Sequence, residues 1–224
     1  MATGIMDYYR TSAGKKMVMA VTGVIIFGFV VIHMLGNLQV FQGPEVLNHY
    51  AAFLQGLGGL LWLARAIMLV AVVLHIVAAT QVTLQSWAAR PEGYAVQKYR
   101  ETTYAARTMR WGGPIILLFI IYHLLHYTFG VVHPDAGHFD KADVYHNVVV
   151  GFQVPWVSGF YILASLAVGF HLYHGAWSML QTMGISHPRW NRWRKVFAIV
   201  FAVAVTVGNV SMPLAVLAGI ITLK

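Results

Sequence analysis

The sequence predicts an all-α integral membrane bundle of five transmembrane helices, on three observations. Charged residues make up 10% of the 224, where an ordinary soluble domain carries about 25%. Hydrophobic residues reach 58% and the mean hydropathy is +0.66. The charges are also fenced: no Asp, Glu, Lys or Arg occurs in 17–44, 66–89, 111–134, 144–188 or 196–223. This pattern excludes a disordered chain and argues strongly against a water-soluble fold.

A bilayer-crossing helix needs about 20 mostly apolar residues. The uncharged stretches therefore give spans near 17–42, 60–87, 109–132, 156–183 and 196–221. The fourth stretch is long enough for more, but Gln153 and Pro155 interrupt it and leave its second part as the span. The first span is too long for a signal peptide and has no cleavage site. Two segments join spans on the sparsely charged side. Residues 43–59 carry an amphipathic run at 47–57 suited to the membrane interface, and 131–155 holds Asp135, Asp140 and Asp143. No repeat or second domain is visible, so the whole chain, 1–224, reads as one transmembrane domain.

The formal charge of +8 is a topology signal rather than a nucleic-acid footprint. Twelve of the fifteen Lys and Arg lie before the first span (Arg10, Lys15, Lys16), between the second and third (Arg90, Lys98, Arg100, Arg107, Arg110), or between the fourth and fifth (Arg189, Arg192, Arg194, Lys195). The positive-inside rule places the N-terminus in the cytoplasm and the C-terminus outside. Lys141 and Lys224 fall on the opposite side, and Arg65 lies just inside the second span. Trp62, Trp87, Trp111 and Trp156 stand near span ends as interface anchors.

Eleven histidines carry the functional argument. His33, His75, His123, His126, His171 and His174 fall inside spans, where ionisable groups are costly and line sites or polar paths. Counting inward from the outer ends, His33 and His123 lie nine residues deep, and His75 and His171 fifteen. At about 1.5 Å per residue these are levels ~13 and ~22 Å below the outer surface. The depths pair His33 with His123 and His75 with His171; on depth alone His126 is an alternative to His123. Small residues flank three of the four: Gly28 and Gly36 by His33, Ala71 and Ala79 by His75, Ala167 and Gly175 by His171. Such residues let a flat macrocycle approach a helix, or let two helices pack closely.

The chemistry of the ligand set narrows what two imidazole pairs can hold. With no cysteine there is no disulfide, iron–sulfur cluster, thiolate ligand or covalent c-type haem. A closed zinc site wants four ligands and each pair offers two. A di-iron site wants carboxylates, and the spans contain none. Haem needs one or two axial ligands and an apolar slot, and two haems at different depths between helices one to four make an electron wire across the bilayer.

Of the other histidines, His126 and His174 follow proposed ligands by three residues and share their helical face. They read as hydrogen-bonding residues or as lining for a quinone pocket. His49, His133, His138, His146 and His187 fall in loops and are expected to be solvated. Arg65 is a snorkelling interface arginine or a counter-ion for haem propionates.

The segments FVVIHMLGNLQVF (29–41), LARAIMLVAVVLHIV (63–77), LLFIIYHLLHYTFG (117–130) and GFYILASLAVGFHLYHGAWSMLQTMGI (159–185) resemble, in order, the first four helices of a known family. It is the single-chain, five-helix, two-haem cytochrome b membrane anchor of succinate:quinone oxidoreductases (succinate dehydrogenases) and fumarate reductases. The resemblance covers nearly the whole chain. It implies two haem b groups with His33, His75, His123 and His171 as axial ligands, the His75/His171 haem lying nearer the cytoplasm. It implies a flavoprotein subunit and an iron–sulfur subunit docked on the cytoplasmic side of the inner membrane, and a quinone, menaquinone in the two-haem type, as the electron partner. The dicarboxylate chemistry then belongs to the flavoprotein, and the whole complex can assemble into a higher oligomer. Members of this family carry an acidic residue near the outer end of the second helix for quinone protons. The only outer acid before that helix here is Glu45, and it is carried over with His49 as a rival. Two other functions compete: the cytochrome b subunit of a formate dehydrogenase, hydrogenase or nitrate reductase, and a haem-free transporter or proton channel using the histidines as a relay.

Overall fold

A computed structural model describes residues 4–89, 92 and 102–223. Among them there is no strand, and five helices are long and apolar enough to cross a membrane. The chain is a multi-pass helical membrane protein. Arg90, Lys98, Arg100 and Lys224 lie outside the described residues.

A short helix, α1 (Ile5–Arg10), precedes the first long one, α2 (Ser12–Asn37), which a single-turn 3-10 segment, Leu38–Gln42, extends. α2 starts five residues before the expected span because Thr11 caps it: its hydroxyl accepts from the Gly14 amide at 3.0 Å, satisfying one of the free first-turn N–H groups. Gly43, at φ 99°, turns the chain into α3 (Pro44–Gly56), so the amphipathic run folds as a helix of its own. The second long helix, α4 (Gly59–Ala88), matches its expected bounds within a residue at each end.

The third, α5 (Tyr104–His123), passes into a π turn at Leu124–Thr128, closed by a bond from the Phe129 amide to the Leu124 carbonyl at 2.9 Å. Helical structure therefore stops four residues short of Val132. Where a loop alone was expected, the chain forms α6 (Val144–Gln153), capped by Asp143. The last long helices are α7 (Pro155–Thr182) and α8 (Pro188–Leu217). α8 begins eight residues before the expected 196 because charge limits the hydrocarbon-spanning part of a helix, not the helix. Pro188 opens it, and Arg189, Arg192, Arg194 and Lys195 occupy its first turns.

The helices pack as a ring with an extra member. α2 packs on α4 and α7, α5 packs on α7, and α8 covers α7 and touches α2. Around the ring the order is α4, α2, α7, α5. The diagonals, α2 with α5 and α4 with α7, are not among the closely packed pairs of the described residues, nor is α4 with α5. Glycines make the tight crossings: a Cβ at Gly169 would strike the Thr206 side chain, and one at Gly208 the Met34 side chain.

One end of the bundle is capped. Val40, Leu47, Tyr145, Val149, Phe152, Val157, Met212 and Val216 form a core where α3 and α6 close over the ends of α7 and α8. Polar ties hold it: Asn48 donates to Asp143 at 2.9 Å and accepts from the Tyr145 amide at 2.9 Å. The other end is basic, and two of its cations are structural. Lys15, 6% exposed, donates to the Arg10 carbonyl at 2.7 Å. Arg194, 5% exposed, donates to the Ile185 carbonyl at 2.8 Å and stacks 4.3 Å from the Trp177 ring. The expectation that such residues act as topology signals therefore omits a second role, satisfying main-chain carbonyls at the turns that lead into α2 and α8.

Candidate functional site: two histidine pairs on the bundle diagonals

Each sequence-derived histidine pair meets in the structure across a diagonal of the ring. His75 on α4 and His171 on α7 have ring centroids 6.2 Å apart with planes at 59°. His33 on α2 and His123 on α5 are 5.7 Å apart at 85°. With metal–imidazole bonds of about 2 Å and a ring nitrogen about 1 Å from the ring centre, two imidazoles sharing one metal sit with centres about 6 Å apart. Among the described residues no cluster of three or more His, Cys, Asp or Glu has metal-binding geometry. Each pair thus offers two nitrogens and no more, the set suited to an iron whose remaining ligands come from a macrocycle.

Side chains on neighbouring helices engage two of the four rings. Thr22 Oγ1, from α2, lies 3.2 Å from His75 Nδ1. Tyr161 OH, from α7, lies 3.4 Å from His123 Nδ1. In both cases Nε2 is left as the nitrogen that can take a metal. His171 Nδ1 is buried without a hydrogen-bond partner. His33 differs: Asn37, one turn on, places Nδ2 3.2 Å from His33 Nε2, and Phe29 stacks on the ring at 5.2 Å. A metal at Nε2 of His33 must replace that amide.

The pairs lie further apart than residue counting gave. Thr22, which touches His75, is eleven residues before His33 on α2, and Tyr161, which touches His123, is ten before His171 on α7. At 1.5 Å per residue both helices give about 15–16 Å between the levels, against the ~9 Å expected from depths of ~13 and ~22 Å. Both outer ends were set too far out: α5 and its π turn end at Thr128, not Val132, and α2 ends at Asn37, not Gln42.

The small residues divide between the two roles weighed for them. Nothing lies within 4 Å of a Cβ built on Gly28 or Gly175. A Cβ at Gly36, by contrast, would meet the Tyr50 ring at 2.5 Å, and Ala71 is 3% exposed. Gly36 therefore serves the seat of α3, and Ala71 serves helix packing.

His126 and His123 both reach the Tyr161 hydroxyl, as their three-residue spacing predicts. Within the π turn the His126 ring also meets α6, where a Cβ on Gly151 would lie 3.2 Å from its Nε2. It is fully buried, and its Nδ1 is 2.9 Å from Tyr161 OH. Its Nε2, Tyr122 OH and Tyr127 OH are buried without partners. His133, expected to be solvated, is 5% exposed: its Nε2 donates to the Asn147 carbonyl at 2.8 Å and its Nδ1 accepts from the Asp135 amide at 3.1 Å. It stacks on His126 at 5.0 Å. Nothing local in the sequence marks that burial, which depends on α6 folding over the loop. His174 is half-buried, His146 likewise, and His49, His138 and His187 are exposed.

The remaining candidates lie at the capped end. Arg65 is exposed with its guanidinium 5.0 Å from the Trp62 ring. Glu45 and His49, one turn apart on α3, share an open recess of ≈ 560 Å³ with Gln39, Val46, Tyr50 and Phe53. Nearby, outside the spans, His138 Nδ1 is 2.8 Å from Asp135 Oδ1. That hydrogen bond, and then the carboxylate charge, raises His138 above the ordinary imidazole range, and the same bond lowers Asp135. The imidazole contribution to stability is present below the ordinary imidazole range and is lost as pH rises through the raised value. The carboxylate contribution is present above the ordinary carboxylate range and is lost as pH falls through the lowered value. Asp135→Asn is expected to bring the His138 midpoint down toward its ordinary value in an NMR titration; an unmoved midpoint would refute the pairing.

Comparison with protein-family models, with characterised proteins and with solved structures returns no match for this chain.

Proposed function

We propose that this chain is the dihaem cytochrome b membrane anchor of a succinate:quinone oxidoreductase. One observation carries the reading: four imidazoles from four different long helices meet two by two on the diagonals of one ring, at separations of 5.7 and 6.2 Å that match the span of two rings on one metal. The haem-free channel reading needs a continuous polar path between the pairs. The pairs stand about 15–16 Å apart along the helices, so a relay needs further polar groups to bridge them.

Haem b, when bound, would supply reversible one-electron chemistry. The protein does the rest. His75 with His171, and His33 with His123, hold and orient the groups; Thr22 and Tyr161 fix ring orientation from outside; Gly28 and Gly175 leave room beside the helices. Reducing a quinone also consumes two protons, and Glu45 with His49 supplies a carboxylate and an imidazole in one open recess at the capped end. In this reading the basic end faces the cytoplasm of an inner-membrane protein and receives the iron–sulfur subunit, with the flavoprotein beyond it. Menaquinone is the electron partner, and the complex as a whole is free to form a higher oligomer.

Haem quantification and a reduced-minus-oxidised spectrum on the purified complex test this directly. Two haem b per chain, resolved into two components, with a covalent-flavin subunit co-purifying, is the expected result. A colourless chain overturns the haem assignment, and a molybdenum or nickel enzyme as the partner overturns the succinate assignment.

A further inference from the structure

We propose, on the dihaem reading above, that Thr22 is a positioning residue that locks His75 with its proton on Nδ1, leaving Nε2 as the ligating nitrogen. Thr22 is 5% exposed. Its hydroxyl lies 2.7 Å from the Val18 carbonyl and 3.2 Å from the Met19 carbonyl. A hydroxyl has one proton, and here the main chain takes it. What Thr22 Oγ1 then presents to His75 Nδ1, 3.2 Å away on another helix, is a lone pair, so the imidazole must be the donor. That fixes the tautomer. A threonine bonding back to its own helix is commonplace, and it accounts for the Val18 contact alone. It does not account for an imidazole from α4 directed at the same oxygen.

The arrangement is asymmetric. His171, the other member of the pair, buries Nδ1 with no partner, so the side-chain hydrogen bond on this pair comes from Thr22, beside the Met19 main chain that also faces His75. An acceptor on Nδ1–H makes the imidazole a stronger electron donor and favours the oxidised metal. Removing the acceptor should shift the balance toward reduction.

The test is a redox titration of the purified complex carrying Thr22→Val or Thr22→Ser, with haem content measured on the same samples. Thr22→Val keeps the shape and deletes the oxygen. It is expected to keep two haems, to shift one component about 2- to 10-fold toward the reduced form, the worth of one neutral hydrogen bond, and to leave the other unmoved. Thr22→Ser is expected to restore the wild-type titration. If Thr22→Val costs one haem and Thr22→Ser retains it at wild-type potential, the hydroxyl role also stands. Two haems titrating as wild type in Thr22→Val overturn the inference, as does equal haem loss in both variants, which is the signature of packing alone. A wild-type complex without haem b is a different result: it overturns the dihaem reading, and this inference falls with it.

Discussion

Replacing His75 by alanine is expected to remove one of two haems and to leave the other with its spectrum and potential intact. The separation of the pairs is the reason. About 15–16 Å of helix lies between the level of His75 and His171 and that of His33 and His123, and perturbations more than about 7–10 Å apart with no shared partner act independently. His75 shares Thr22 with no ligand of the other pair, and His123 shares Tyr161 only with His126. The haem-to-protein ratio should therefore fall from two to one in His75→Ala, and to zero in the double variant His75→Ala/His33→Ala. The difference spectra of His75→Ala and His33→Ala should be complementary and sum to that of the parent. A ratio unchanged in His75→Ala refutes the assignment of the His75/His171 pair. Loss of both haems in each single variant refutes the independence of the two sites.

Replacing His126 by alanine is expected to give the opposite signature: a large loss of stability with both haems retained. His126 is the largest fully buried side chain of the molecule's described part. It packs tilted against Tyr127 at 4.0 Å and stacks on His133 at 5.0 Å, and it bonds Tyr161 at 2.9 Å. Truncating a core side chain of this size costs about 2–4 kcal/mol, and it deprives the Tyr161 hydroxyl of its closest partner. Thermal unfolding in detergent, followed by helical circular dichroism, should show a clear fall in Tm. Haem content, measured before heating, should match the parent. His123→Ala should behave conversely, losing one haem. If His126→Ala loses a haem while His123→Ala keeps both, the third ligand is misassigned.

Much of this was legible in the one-dimensional pattern because the bilayer imposes it. Five uncharged stretches locate the five long helices, since a lipid-facing backbone must satisfy its own hydrogen bonds as helix. The pairing of His33 with His123 and of His75 with His171 was legible too, as equal residue counts from the same side. What misled the counting was where helices end. Hydropathy marks the part of a helix that hydrocarbon can hold, so α8 was read as starting at 196 when Pro188 and the His187 cap start it earlier. Cap chemistry began α2 at Ser12 ahead of its apolar run. The π turn was invisible, because 117–130 reads as one continuous helix until the Leu124 carbonyl bonds the amide five residues on. That widened turn brings His126 against α6 while it and His123 both keep the Tyr161 hydroxyl as a neighbour.

The segments outside the spans were the least legible. Residues 144–153 contain valines, two aromatics, a histidine and an asparagine without a strong period. They fold as α6 because Asn48 of α3 meets Asp143 and the Tyr145 amide there. The burial of His133 follows from that contact and from nothing nearby in sequence.

The order of residues alone determined that this chain is helical, that it crosses a membrane, and which side chains it places at depth. Those properties depend on composition and spacing against a uniform apolar solvent, which acts on each segment separately. Only the tertiary structure decided that α2 faces α5 and α4 faces α7 across a ring, that one threonine and one tyrosine lie behind the rings that meet there, and that α6 and His133 enclose His126. Diagonal neighbours and hydrogen-bond directions depend on how helices stack against one another, and stacking is set jointly by the small residues at every crossing rather than by any one segment.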